Sequence, residues 1–322
     1  MTTSPMTTTA HSDVQHESPA IIHYDSHSIE EYTAKWDTPM GLGEMAFNDT
    51  RKVTEDGVVS MSAVPFQAGA DAVFDHAKYF AASHELFPMP ESGSVEFSAD
   101  IAAVTPGTEP GRVIHGSYND SPGGDRPYAE PTLEGQQAAF MFNVTNMETS
   151  QLFDWFVSGS SAFALIERLP SVANNPTLNR DDPAYVGLDK AYTQIITSVT
   201  LEPGTTHTYV IRYKRNAAQS SVEFLLDGDV RARVDHVGIP LDRQEVEYTG
   251  VYPSYQDAPG EELGPRMNTF VIAHGLYNVL DAFPFQHPDA PELAVSVPMS
   301  ERLFGQGAQA EFGNLTVTTV SD

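Results

Sequence analysis

The densest group of side chains able to do chemistry lies in Thr132–Asn146, TLEGQQAAFMFNVTN. Read as a strand, the segment places Glu134, Gln136 and Ala138 on one face and Gln137, Ala139 and Asn143 on the other. Glutamine amides both donate and accept, which suits hydroxyl-rich ligands. Glu134 and Gln136 are therefore expected to line a ligand-facing sheet; the alternative is a buried polar ladder that satisfies itself. A second carboxylate, Glu167 in FALIER, alternates with Phe163 and Leu165 and projects from an otherwise apolar row. Such a group is either paired with an arginine, Arg168 or Arg212, or has its pKa raised by desolvation, which makes a general acid. Glu134 and Glu167 on neighbouring strands would form the carboxyl pair that glycosidic or proton-transfer chemistry needs.

Histidine is the natural proton shuttle near neutral pH. His115 in VIHGSY and His274 in VIAHGLY share a context, apolar residues followed by His-Gly and an aromatic, and are the two expected to assist. The competing role for either is a packed, hydrogen-bonded residue. His76 in FDHAKY and His287 in FQHPDAP complete the set. No histidine shows a metal-binding spacing, so no catalytic metal and no cofactor is expected. Trp155 in LFDWFVS, with Tyr118, Tyr128 and Tyr192, offers stacking platforms for sugar rings or planar substrates, and Arg168 a further ligand contact. Core packing is the other role open to Trp155. Phosphate loops, Gly-x-Ser-x-Gly elbows and nucleotide fingerprints are absent, and Ser158–Ser161 reads as a turn.

The elements that must hold these residues are short strands. Thr206–His236 reads as three consecutive antiparallel strands, the last two joined by a tight turn at Asp227-Gly228. Further strands are expected over 58–63, 73–79, 94–104, 132–144, 163–168, 192–200, 268–274, 294–298 and 310–320. Clusters such as TPGTEPG, SPGGDRP and DAPGEELGP separate them. Helix is scarce: Leu276–Phe283 has room for a turn or two before Pro284. About a dozen such strands predict an all-β, two-sheet antiparallel sandwich. Residues 169–189 and 238–266 lack periodicity and are expected to be lids or rims. Residues 1–20 are expected to form a disordered lead and 21–322 a single sandwich domain.

Composition narrows the partners. The 322 residues carry 44 acidic and 17 basic side chains, a net charge of −27. That balance argues against nucleic acid and against an anionic membrane surface. No cysteine is present, hence no disulfide and no thiolate metal site. The N-terminal residues show neither a basic region nor an apolar run, and no segment of about 18 apolar residues exists, so a cytoplasmic location is expected.

The hairpin VEFLLDGDVRARV (222–234) and the closing strand carrying FGNLTVTT (312–319) resemble the concanavalin A-like lectin and glucanase jelly roll. The resemblance spans 44–320 and implies a jelly-roll fold, a carbohydrate ligand and room for a structural calcium, with Asp181-Asp182 as acidic-loop ligands. Phrases such as HGSY, LEGQQAAF, QLFDWFV, ALIERLP and GIPLDRQ are similar to a bacterial family of uncharacterised proteins, which supplies no activity. The Glu-x-Asp-x-x-Glu string of the retaining glucanases is missing. The nearest piece, Glu96 and Asp100, reads as the polar outer face of a sheet. The expectation is a protein that binds a carbohydrate or similar polyhydroxylated small molecule. Acid–base processing would fall to Glu134 and Glu167, with His115 or His274 assisting. The rivals are a metal-free cyclase, isomerase or lyase of bacterial secondary metabolism and a non-catalytic glycan-binding module.

Overall fold

The structure, a computed structural model, describes residues 18–37, 50–67, 76–118, 126–146, 148–149, 151–168, 192–237, 261–263, 267–282 and 295–322. In chain order the elements begin with β1 (Ala20–His23), α1 (Ile29–Lys35), β2 (Trp36–Asp37), β3 (Thr50–Val53) and β4 (Val59–Ala63). Then come β5 (Ala77–Ser83), β6 (Phe87–Pro88), β7 (Gly93–Val104), β8 (Val113–Tyr118), β9 (Arg126–Pro131) and α2 (Glu134–Gln137). The middle of the chain supplies β10 (Ala139–Asn146), β11 (Gln151–Val157), β12 (Ser161–Arg168) and β13 (Tyr192–Thr200). It continues with β14 (His207–Arg215), β15 (Ser220–Leu226), β16 (Asp229–Val234), β17 (His236–Val237) and β18 (Glu261–Glu262). Last come β19 (Thr269–Tyr277), β20 (Val295–Ser296), α3 (Met299–Arg302) and β21 (Ala308–Ser321).

Two antiparallel sheets dominate. The first runs β16-β15-β14-β7-β21-β4-β3, with β1 paired to β21, so both ends of the chain share one sheet. The second runs β13-β12-β11-β10-β19-β5-β2, and β8, β9 and β20 form a small third sheet. The architecture is thus the all-β antiparallel sandwich expected. Alternation explains the first sheet: β7 buries Val95, Phe97, Ala99, Ile101 and Ala103 and leaves the intervening residues half-exposed. These face Phe140, Phe142, Phe153, Trp155 and Ile166 of the second sheet in one continuous core.

The expected hairpin is present. Asp227 and Gly228 both have positive φ, 52° and 84°, as a two-residue turn matched to strand twist requires. Tyr192–Thr200 is a strand over its whole expected length. One expectation fails and two elements were not anticipated. Thr132–Val144 is a helical turn followed by a strand, because Gln136 folds back to accept from the Leu133 amide at 2.8 Å. Helix α1 was legible in its Ser28 cap, which accepts from the Glu31 amide at 3.1 Å, and in Glu30, Glu31 and Lys35 placed to suit the dipole. Strand β11 escapes a search for alternation because both of its faces are buried. Residues 1–17 of the lead, all of 169–189 and most of 238–266 lie outside the described residues, and residue 20 already belongs to β1.

Trp155 is a core residue and not a ligand platform. It is fully buried, donates Nε1–H to the Val210 carbonyl at 3.2 Å, and meets Tyr209 and Phe224 edge-on at 5.4 and 5.9 Å. Trp155→Ala is expected to cost about 3–5 kcal/mol of stability, measured by chemical denaturation, as large-to-small changes in a packed core do.

Candidate functional site

The expected Glu134–Glu167 pair does not form. Glu134 opens the four-residue helix α2, where Oε1 accepts from the Thr105 and Thr108 hydroxyls at 2.9 and 3.2 Å. Its Oε2 accepts from the Ser160 amide at 3.1 Å and from the Ser160 hydroxyl. Gly159 permits this approach, since a Cβ there would lie 3.0 Å from Oε1. Ser160 immediately precedes β12, whereas Glu167 stands near its far end, about 20 Å along an extended strand. Glu134 is therefore a buried tie between α2, the 105–108 turn and the β11–β12 turn. Gln136 caps α2, and Gln137 exchanges bonds with the Glu109 backbone at 2.6 and 2.7 Å. The polar row of 134–137 is thus largely self-satisfied.

The histidines are also separated. His115 is exposed on β8 of the small sheet. His274 lies in the inter-sheet core, its Nε2 2.7 Å from the Tyr32 hydroxyl, which also bonds Tyr79, with the Trp36 and Phe312 rings each centred 4.4 Å away. Arg168 is buried and donates Nε–H to the Thr149 carbonyl at 2.9 Å. Tyr118 and Tyr192 are strand residues in register with Val295 and Arg168, and Tyr128 is in register with Gly116; their side chains lie outside the described part. Asp181, Asp182 and His287 lie outside the described residues. Glu96 and Asp100 behave as outer-face residues: Arg212 bridges Glu96 and Glu223, and Asp100 accepts from Thr208 and Asn314.

What the structure does assemble is the outer face of the second sheet. Register places Leu165, Asp154, Asn143, Ala273 and Ala82 in one row across β12, β11, β10, β19 and β5. Asp154 and Asn143 are each 1% exposed. Asn143 donates Nδ2–H to Asp154 Oδ1 at 2.5 Å, and the Thr145 hydroxyl donates to Asn143 Oδ1 at 2.5 Å. Among the described residues Asp154 Oδ2 has no hydrogen-bond partner. Glu167, opposite Leu152, is the diagonal cross-strand neighbour of Asp154, about 7–8 Å away at the backbone. Burial first, and then repulsion from Glu167, hold the Asp154 carboxyl well above the usual carboxylate range; the Asn143 bond only partly offsets them.

The rest of this face is apolar. Phe156 and Phe163 stack with ring centres 5.0 Å apart, Tyr277 meets Phe156 edge-on at 5.9 Å, and Met141 and Leu165 fill between them. The arrangement offers an acid biased toward its protonated form and oriented by a Thr145–Asn143 relay, a second carboxyl on the neighbouring strand, and an apolar wall. Of these two acids only Glu167 is among the residues expected from the sequence. The signal for Asp154 was present in QLFDWFV, one carboxylate inside a wholly apolar strand. Among the described residues no three His, Asp or Glu side chains cluster closely enough to hold a metal ion.

Two expectations follow. A carboxyl with a raised folded-state pKa keeps its proton after the unfolded chain has lost it, so stability falls as pH rises from the ordinary carboxylate range to the raised value. Asparagine mimics the protonated acid, so Asp154→Asn should melt higher than the parent at pH 7, with the gap closing toward pH 4. Thermal melts across that range check it; a variant that melts lower throughout contradicts a neutral Asp154. For Glu134→Gln, an amide NH2 replaces an acceptor among four donors, and a loss of about 1–3 kcal/mol is expected in the same measurement.

The chain belongs to a family of unknown function, DUF6081, whose model matches residues 26–321. No curated protein matches its sequence. Among solved structures it is similar to an endo-1,3-β-glucanase from Streptomyces sioyaensis, with 12% identity and a TM-score of 0.41, covering 98% of this chain and 100% of that one. It is also similar to the family 7 alginate lyase A1-II′, with 11% identity and a TM-score of 0.39 over 88% and 87% of the two chains. A third likeness is to the lectin UEA-II complexed with galactose, with 9% identity and a TM-score of 0.32 over 96% and 100%. The reading of the site rests on this chain's own residues.

Proposed function

We propose that the outer face of the second sheet is an acid–base site for a carbohydrate or similarly polyhydroxylated small molecule. The observation that carries this reading is the buried Asp154, with one oxygen held by Asn143 and the other without a partner among the described residues. An acid in that state donates its proton to a departing or developing oxygen, and Glu167 receives one from an attacking hydroxyl or from a substrate carbon acid. Asn143 fixes which oxygen of Asp154 is presented, and Thr145 fixes Asn143. The glucanase, the alginate lyase and the galactose-bound lectin named above are compatible with a sugar ligand. Cleavage, elimination and binding alone remain three separable outcomes.

A second reading is favoured by the Phe156–Phe163–Tyr277 wall, which makes this face more apolar than a sugar alone needs. It is a metal-free enzyme acting on a small molecule with a planar or apolar body and one hydroxyl or carbonyl at Asp154.

The test begins with thermal shifts against mono- and oligosaccharides and against small aromatic or polyketide-like acids, since a ligand of the native state raises the midpoint. On whichever ligand is turned over, Asp154→Asn and Glu167→Gln should each lower kcat by about 10²–10⁴ while the thermal shift persists. Turnover unchanged in both variants would sink the mechanism, and hits confined to the organic acids would select the second reading.

A further inference from the structure

On the outer face of the first sheet, where β14 turns into β15, lies a pocket of 220 Å³ lined by Lys214, Arg215, Arg233, Ser94, Ser221 and Asn216. Three cations meet there in a chain with 17 basic residues against 44 acidic ones. Each is held differently. Arg215 donates Nε–H to the Pro90 carbonyl at 2.7 Å, and its terminal nitrogens reach the Met89 carbonyl and the Asn268 side-chain oxygen at 3.2 Å. Those carbonyl and amide oxygens hold the guanidinium in place. Lys214 spans both oxygens of Glu223, at 2.9 and 3.0 Å, in a bridge shared with Arg212. Arg233, exposed on the edge strand β16 and in register with Glu223, forms no ion pair among the described residues.

The polar lining complements this charge. Asn216 Oδ1 accepts from the Ala218 and Gln219 amides at 2.9 and 3.1 Å, which leaves its NH2 as the group able to donate. Ser94 and Ser221 add hydroxyl donors, in register with Lys214 on either side. One carboxylate, Asp322, borders the pocket, and the Ser92 hydroxyl donates to it at 2.7 Å.

We propose that this pocket binds a small oxyanion, a carboxylate, sulfate or phosphate group, between Arg233 and Lys214, with Arg215 as its fixed wall. Acidic side chains farther off than the Debye length of about 8–10 Å are largely screened, so an approaching anion responds to the groups around the pocket, where Glu223 is shared by Lys214 and Arg212. Charge-assisted bonds from arginine are the strong ones for such groups. The pocket lies on the sheet opposite Asp154 and is independent of the acid–base reading.

The experiment is calorimetric titration of the full chain with sodium sulfate, phosphate and acetate, at an ionic strength held constant with sodium chloride. At least one oxyanion is expected to bind saturably, and Arg233→Gln to weaken it about tenfold, the loss of one charge-assisted contact. That variant leaves the Glu223–Arg212–Lys214 bridge in place on an exposed strand, and an unchanged circular dichroism melt verifies the fold. Lys52→Gln, at the other end of the same sheet, should bind like the parent. Preference for acetate assigns a planar carboxylate group, and preference for sulfate or phosphate a tetrahedral one. Absence of saturable binding, or binding indifferent to Arg233→Gln, overturns the proposal.

Discussion

Strands β10, β11 and β12 are buried along both faces, and water is not at hand to stabilise a charge placed on them. The inward residues of these strands complete the core against the first sheet, while their outward residues form a second apolar cluster around Phe156, Phe163 and Tyr277. A polar group on the outward side must therefore find a partner or give up its charge. Asn143 and Thr145 find each other, and burial shifts the Asp154 carboxyl toward its protonated form. The chemistry attributed to the site is a consequence of this double burial rather than an addition to it.

The first sheet answers to the opposite constraint. Outward residues of β7 are half-exposed, and Glu223 on the buried strand β15 is set among cations, so charge is carried on this face in cross-strand ladders. Arg212 joins Glu96 to Glu223, and although partial burial opposes it, Lys214 and Arg212 hold Glu223 below the usual range. A carboxyl is thus biased toward the ionised form on one sheet and toward the neutral form on the other. Environment, and not residue type, separates a structural acid from a reactive one.

That distinction explains what the sequence could and could not convey. The Asp227-Gly228 hairpin was legible because a two-residue turn demands positive φ, and Val95 to Ala103 because one solvated face preserves alternation. Strand β11 was passed over because burial on both sides erases the period, and Asp154 with it. Glu134 and Gln136 misled for a related reason. Their spacing fits a strand, but a side chain bonding its own backbone competes with the ladder and turned the segment into α2. His274 was rightly noticed as unusual, yet its hydrogen-bond partner is Tyr32, itself bonded to Tyr79, and both lie far away in the chain.

The central claim is that Asp154 is a neutral acid poised beside Glu167. Carboxyl-carbon NMR titration of the aspartates, with Asp154 assigned by its loss in Asp154→Asn, measures this directly. The account requires Asp154 to titrate well above the other aspartates and to move down when Glu167→Gln removes the neighbouring charge. A midpoint in the ordinary carboxylate range, unmoved by Glu167→Gln, would contradict it.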